Sequence, residues 1–320
     1  MNSNALPPSR RDFISQATAG SVAAFFASGL ETRAAVSVSK GSLLGFAAVP
    51  ASTADTFVVP DGYRAEPLLS WGDPIVEEGP SFAQAQGAAE QLLQMGDNTD
   101  GMALFPVGDK GDRAVLAINN EYTNYGNLFG HGGKNMALAD VEKAQAAHGV
   151  TVVELKREAE GWVVNLQGER NRRLTANTPM ELVGPAAGHP LLLTEADPEG
   201  KLALGTFNNC ANGQTPWGTY LTCEENFHGY FGSQLKGVKL RETDKLYGLS
   251  TKEEHYQWHQ YDPRFDFGLN PNEPHRFGWV VEIDPHDPNS TPRKLTALGW
   301  IKHENAELLI ARKLLLRGGA

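Results

Sequence analysis

Short runs of β-branched and aromatic residues recur along the chain, each broken by Gly, Pro, Asn or Asp. "RAVLAINN", "VTVVELK", "GWVVNL", "KLALGTF", "GTYLTC" and "GWVVEID" have the length and composition of strands. Helical periodicity is confined to two stretches, 81–96 and 136–149, each ending in a glycine where helices commonly stop. The stretch 233–277 is charged and aromatic with few periodic apolar positions, and it is too long for a plain connection. Such stretches are often functional lids or excursions. The pattern predicts an all-β fold with a few short helices.

An internal echo sharpens that expectation. "AINNEY" is followed by "VVEL" (Val152 to Leu155) and "LTA" (Leu174 to Ala176), and "LTCEEN" is followed in the same order by "VVEI" (Val280 to Ile283) and "LTA" (Leu295 to Ala297). The second copy carries extra residues, expected between 232 and 277. Repeated multi-strand units suggest a β-propeller over a sandwich.

The chain has 320 residues, 41% hydrophobic and 21% charged, which is ordinary globular composition. With 28 basic against 38 acidic residues its formal charge is −10, so a nucleic-acid surface is not expected. The N-terminal "SRRDFI" (Ser9 to Ile14), followed by a small and apolar run from Ala17 to Leu30, reads as a twin-arginine export signal over residues 1–36. That route carries folded proteins, often already loaded with a cofactor. No other run reaches the roughly 18 to 20 apolar residues of a membrane span. The mature protein is therefore expected in the periplasm or outside the cell.

The candidate chemistry gathers at strand ends. "VLAINNE" finishes at Glu121, "YLTCEE" at Glu224 and Glu225, and "GWIKHE" at Glu304. Carboxylates delivered by converging strands need a cation, because desolvating them together without one is costly. Successive residues of a strand face opposite ways, so one of Glu224 and Glu225 faces the centre unless the strand bends. Cys210 adds a soft thiolate, a ligand for iron, zinc or copper, while pairing with Cys223 in a disulfide or burial as a free thiol stay open. Residues 208–217 read as a long hairpin loop, and Thr219 to Glu225 would span about 20 Å at roughly 3.3 Å per residue. The loop is then expected to fold back if thiol and carboxylates are to meet. His255 and His259 sit four apart but among Pro and Asp, and "GPAAGHP" with His189 reads as a turn. No G-x-S-x-G and no Cys-x-x-Cys occurs, so serine-hydrolase and thioredoxin-like chemistry have no basis.

With these motifs in view, the chain resembles the PhoX family of alkaline phosphatases. The likeness runs from "GFAAVPASTADTFVVPDGYRAEPLLSWGDPI" through "NNEYTN", "LTANTPMELVGPAAGHPLL", "NNCANGQTPWGTYLTCEENFHGYF" and "RFGWVVEIDP" to "KHENAE". The resemblance implies a six-bladed propeller over 37–307, usually a monomer, with a calcium and iron cluster that hydrolyses phosphate monoesters at alkaline pH after twin-arginine export. It also implies metal ligation by Cys210, by Glu225 or Glu224, and by Glu304; Glu121 is added from the repeat. The ending "LLIARKLLLRGGA" departs from the family, which continues further, so 308–320 reads as an atypical tail of a truncated or frameshifted chain with weak or no activity. The other readings kept open are a calcium-dependent propeller hydrolase of lactones or organophosphates, and a non-catalytic propeller fragment.

Overall fold

The alternation of apolar residues along the strands is resolved in the structure, a computed structural model that describes residues 45–252 and 255–308. The expected signal segment and residues 309–320 lie outside the described residues. The chain divides at Glu66 into two units. In the first, the Phe46 and Tyr63 rings meet edge to face, 5.4 Å apart. Everything below concerns the second.

Its strands are β1 (Thr99–Pro106), β2 (Arg113–Asn120), β3 (Gly149–Glu158), β4 (Gly161–Val164), β5 (Arg172–Leu174), β6 (Pro179–Val183), β7 (Leu202–Leu204), β8 (Asn209–Gln214), β9 (Tyr220–Glu224), β10 (Val280–Ile283) and β11 (Arg293–Leu295). Helices are α1 (Ala88–Gln91), α2 (Tyr125–Leu128), α3 (Leu138–Ala147) and α4 (Glu242–Leu246). Two sheets result. The first runs β1-β2-β3, with β4 and β5 both antiparallel to β3; the second runs β7-β6-β11-β10-β9-β8, antiparallel except between β6 and β11. Among the described residues these sheets do not close into a ring.

The sequence echo corresponds to a structural one. β1-β2-β3-β5 and β8-β9-β10-β11 are each a four-stranded antiparallel meander, and "VVEL" and "VVEI" are their third strands. β2, most of β3, β9 and β10 are buried on both faces, and their alternate side chains enter opposite cores. Val115 and Ala117 of β2 and Val150 and Val152 of β3 share a core with Tyr220, Val281 and Ile283 of the second sheet. Leu116 and Ile118 of β2 and Val153 and Leu155 of β3 face the opposite core with Ile75 and Met95. Gly149 starts β3 at φ +101°, and a Cβ there would lie 2.0 Å from the Leu174 carbonyl oxygen. Only glycine lets β5 approach so closely.

Three expectations change. The helix expected over 81–96 shrinks to α1, because the Gln86 side chain bonds back to Ser81 O and Gly87 begins the helical turn. The stretch 233–277 is neither lid nor loose loop. It folds into α4 and short 3₁₀ turns at Trp258–Gln260, Pro263–Phe265 and Glu273–Arg276, and inserts Trp258, Phe265 and Phe277 into a core with Phe207, Phe227 and Tyr230. Irregularly spaced aromatics fill a core without leaving a periodic trace. The segment expected to be a hairpin loop is itself strand β8, joined to β9 by a turn at 215–219. Antiparallel pairing sets Asn209 opposite Glu224, so the cysteine already lies beside the carboxylate end and no fold-back is needed.

Candidate metal centre

The same backbone device opens both meanders. Asn98 precedes β1 at φ 42° and Asn208 precedes β8 at φ 50°, a left-handed conformation that asparagine tolerates better than most residues. Each carbonyl then accepts from the residue that follows the second strand: Glu121 N donates to Asn98 O and Glu225 N to Asn208 O, both at 3.0 Å. Each first strand is bulged immediately afterwards. Thr99 pairs with Asn120 but Met102 with Ile118; Asn209 pairs with Glu224 but Asn212 with Thr222. A bulge inserts one residue and re-aims its neighbours, here Asp100 in the first meander and Cys210 in the second.

The result is one cluster. Cys210 Sγ lies 3.1 Å from Asp100 Oδ2 and 3.4 Å from Glu304 Oε1. Donor atoms of Asp100, Glu121 and Cys210 lie within 4.8 Å of one another, and so do those of Cys210, Glu225 and Glu304. The thiol belongs to both groups. Backbone bonds hold the elements together: Asn208 N donates to Glu121 O and Ala211 N to Glu304 O, both at 3.0 Å. Below them the Tyr220 hydroxyl donates to Gly101 O at 2.8 Å, and the Asn119 amide donates to Cys210 O.

Electrostatically the acidic groups of the cluster repel one another. Burial, and then the charges of Asp100, Glu225 and Glu304, raise the Glu121 carboxyl to about 7. Burial, hydrogen bonding to Asp100 and Glu304, and the charges of Asp100 and Glu121 push the Cys210 thiol well above its usual range. A bound cation reverses both shifts, since it stabilises thiolate and carboxylate together. One soft and four hard donors fit a metal centre of mixed character.

Glu224 does not join the cluster. Its Oε1 accepts from Lys294 Nζ at 2.7 Å, and its Oε2 accepts from the backbone N–H groups of Gly278 and Trp279 at 2.9 and 3.1 Å. Glutamate and lysine are both fully buried, and Lys294 also donates to Arg276 O and lies over the Phe277 ring. Strand alternation sends Glu224 into this pair and leaves Glu225 with the thiol. The two cysteines are free buried thiols, so Cys210 is not in a disulfide. His259 is buried in a 3₁₀ turn against Gly232, whereas His255 is exposed, so the two histidines share no helix face. His189 caps a 3₁₀ turn by accepting from Leu191 N.

Two neighbouring residues were not singled out from the sequence. Asp100 ends no apolar run; its signal is the alignment of Asn98-Thr99-Asp100 with Asn208-Asn209-Cys210. Lys302 places Nζ 3.4 Å from His228 Nε2 and senses the Glu225 charge, while burial lowers its pKa. Burial and then Lys302 lower His228 to about 4, so its imidazole is neutral at ordinary pH. Beside them a cavity of about 520 Å³ is lined by Glu121, Tyr122, Asn208, Asn226, His228 and Tyr256.

Paired antiparallel meanders that converge a thiol and carboxylates define a candidate metalloenzyme centre. The profile of the family described as "Alkaline phosphatase PhoX" matches residues 44–314. A solved structure, Pseudomonas fluorescens PhoX in complex with vanadate, a transition state analogue, is 52% identical with a TM-score of 0.80. The match covers 82% of this chain and 45% of that one, so this chain spans less than half the neighbour's length. A comparison with curated proteins finds no match. The chain belongs to the PhoX alkaline phosphatase family.

Proposed function

We propose that this chain provides part of the centre of an exported, metal-dependent phosphatase that hydrolyses phosphate monoesters at alkaline pH with calcium and iron. The observation that carries the reading is the sharing of Cys210 between two donor groups. Asp100, Glu121, Cys210, Glu225 and Glu304 would hold the metals, with iron at the thiolate and calcium among the carboxylates. A thiol at the centre speaks against an oxygen-only calcium site of the lactonase kind. The vanadate in the Pseudomonas fluorescens structure supports phosphoryl transfer as the reaction.

When bound, such cations supply the positive charge that stabilises a phosphoryl-transfer transition state. This chain's own residues then bind and orient. Lys302 stands beside Glu225 and His228, placed to take a phosphate oxygen as a charge-assisted donor. Neutral His228 keeps a second positive charge out of that corner, and the cavity beside Glu121 takes the alcohol side of the ester. Fixing the ester between these walls lowers the entropy lost on reaching the transition state. Each four-stranded meander is read as one blade of a six-bladed propeller formed by the whole protein. Twin-arginine export, a periplasmic or secreted location and a monomeric state belong to the same reading. Among the described residues no helix is long and apolar enough to cross a membrane.

The test is elemental analysis and aryl phosphate hydrolysis on the exported chain and its Cys210→Ser variant. Iron with calcium in the parent, and loss of iron and its colour with calcium retained in the variant, is the expected result. Unchanged iron in the variant, or no metal in the parent, would overturn it.

A further inference from the structure

Asn208 makes four hydrogen bonds around the candidate centre. Its backbone N–H donates to Glu121 O and its carbonyl accepts from Glu225 N, both at 3.0 Å, so one residue bridges the two glutamates. The side chain works on two further partners. Oδ1 accepts from Asn226 N at 2.5 Å, and Nδ2 lies 3.3 Å from the Tyr230 hydroxyl.

The chain of donors continues inward. Tyr230 Oη is 3.0 Å from His148 Nε2, and His148 Nδ1 is 2.6 Å from Ala144 O in α3. A carbonyl only accepts, so Nδ1 carries the proton and Nε2 is the acceptor. The Tyr230 proton must then point at His148, which leaves the phenol oxygen to accept from Asn208 Nδ2. Every polarity in the row is fixed by the helix carbonyl at its end. Tyr230 and His148 are fully buried and Asn208 is 4% exposed. Burial lowers His148 to about 3, so the acceptor stays neutral across the working range. The phenol is clamped sideways as well, with its ring stacked on Tyr256 at 4.2 Å.

We propose that Asn208 and Tyr230 are positioning residues of the centre: through His148 they anchor its two glutamate backbones to α3 and hold the left-handed turn that launches Cys210. The geometry makes a specific demand on position 208. It needs a residue that tolerates φ 50° and whose amide can accept from Asn226 N while donating to Tyr230. Glycine meets the first requirement alone and alanine meets neither.

The inference rests on the metal reading of the cluster, and the test separates the two. Calcium titrations followed by melting temperature would be run on the parent chain, Tyr230→Phe, Asn208→Ala, Asn208→Gly and the core control Met180→Ala. The positioning role predicts about tenfold more calcium for half-maximal stabilisation in Tyr230→Phe and Asn208→Ala, with Asn208→Gly in between. Met180→Ala should lower the melting temperature with an unchanged calcium midpoint. Parent-like midpoints in Tyr230→Phe and Asn208→Ala would overturn the proposal. If the parent does not respond to calcium, the metal reading fails and the rate of Cys210 alkylation, followed by peptide mapping, decides instead. Faster labelling in Tyr230→Phe and Asn208→Ala than in the parent and Met180→Ala supports the anchor, and equal rates refute it.

Discussion

The two meanders share a backbone and differ in what they place on it. At the end of the second strand stands Asn120 in one and Glu224 in the other, and the facing residue of the fourth strand is Arg173 in one and Lys294 in the other. Glu224 meets Lys294 as a buried ion pair. Among the described residues Arg173 pairs with no carboxylate; it donates to Asn120 Oδ1, Thr151 Oγ1 and the carbonyls of Ala146 and His148 at the end of α3. One position later the sense reverses, because Glu121 and Glu225 both turn into the anionic cluster. The fold therefore places its carboxylates in two settings. Glu224, facing away from the centre, receives the buried Lys294, whereas Glu121 and Glu225, facing it, share the cluster with Asp100, Cys210 and Glu304 and have Lys302 as a neighbouring charge at Glu225.

The strongest way to break this comparison is to remove the protein cation. In Lys294→Met, Glu224 keeps two backbone donors but loses its charge partner inside the core. Stability should fall by about 3 to 5 kcal/mol in denaturant unfolding, the usual cost of stranding a buried charge. Replacing Glu224 by Leu in the same chain should recover a large part of the loss. A Lys294→Met chain as stable as the parent would show that the two donors alone hold Glu224.

Acid should attack the first meander before the second. His148 sits immediately before β3, where the second meander has Gly278 and Trp279. Its pKa is about 3 in the folded chain against 6.5 unfolded, so between those values the unfolded state binds the extra proton. The contribution of this group is fully present above pH 6.5 and declines as pH falls towards 3, by about 1.4 kcal/mol per unit, while protonation of Glu121, raised to about 7, acts in the opposite sense at the cluster end of β2. Hydrogen exchange at pH 5 against pH 7 should show β3 and α3 losing protection ahead of β10. Equal loss in both meanders would place the weakness elsewhere.

A smaller effect tests the inner positions. Asp100 and Cys210 occupy equivalent bulges, so Asp100→Asn should weaken cation binding about tenfold, or about 1.4 kcal/mol, without changing the unliganded melting temperature by more than a degree or two. An unchanged affinity would remove Asp100 from the centre and leave Glu121 as the first meander's contribution.

How much of this could be read beforehand follows from the same comparison. The order of the echoed strands and the carboxylates at their ends were legible, since apolar runs carry the period of two and a glutamate closing such a run is conspicuous. Asp100 was not, because it enters at the start of a strand through a bulge, and one inserted residue erases the alternation that would have marked it. From composition alone β8 reads as a loop, since "NNCANGQ" is rich in turn-forming residues; its strand character comes from pairing with β9 and from burial, which composition does not encode. Trp258, Phe265 and Phe277 were visible as residues and invisible as a core, since 3₁₀ turns of three or four residues give no period to detect.

The mildest substitution sharpens the contrast between Arg173 and Lys294. Arg173→Lys keeps the charge but replaces a fork by a single ammonium. The guanidinium uses one nitrogen for Asn120 and Thr151 and the other for the two carbonyls that end α3, and a lysine nitrogen cannot occupy both places. One or two bonds would be lost from a fully enclosed site, so unfolding should show a loss of about 1 to 2 kcal/mol, concentrated in α3 protection. Since a cation near a helix C-terminus is favourable whatever its shape, a chain unaffected by the change would mean that Arg173 acts through charge alone. A loss in this range would mean that the first meander uses its buried cation as a cap for α3, whereas the second uses its own to neutralise Glu224.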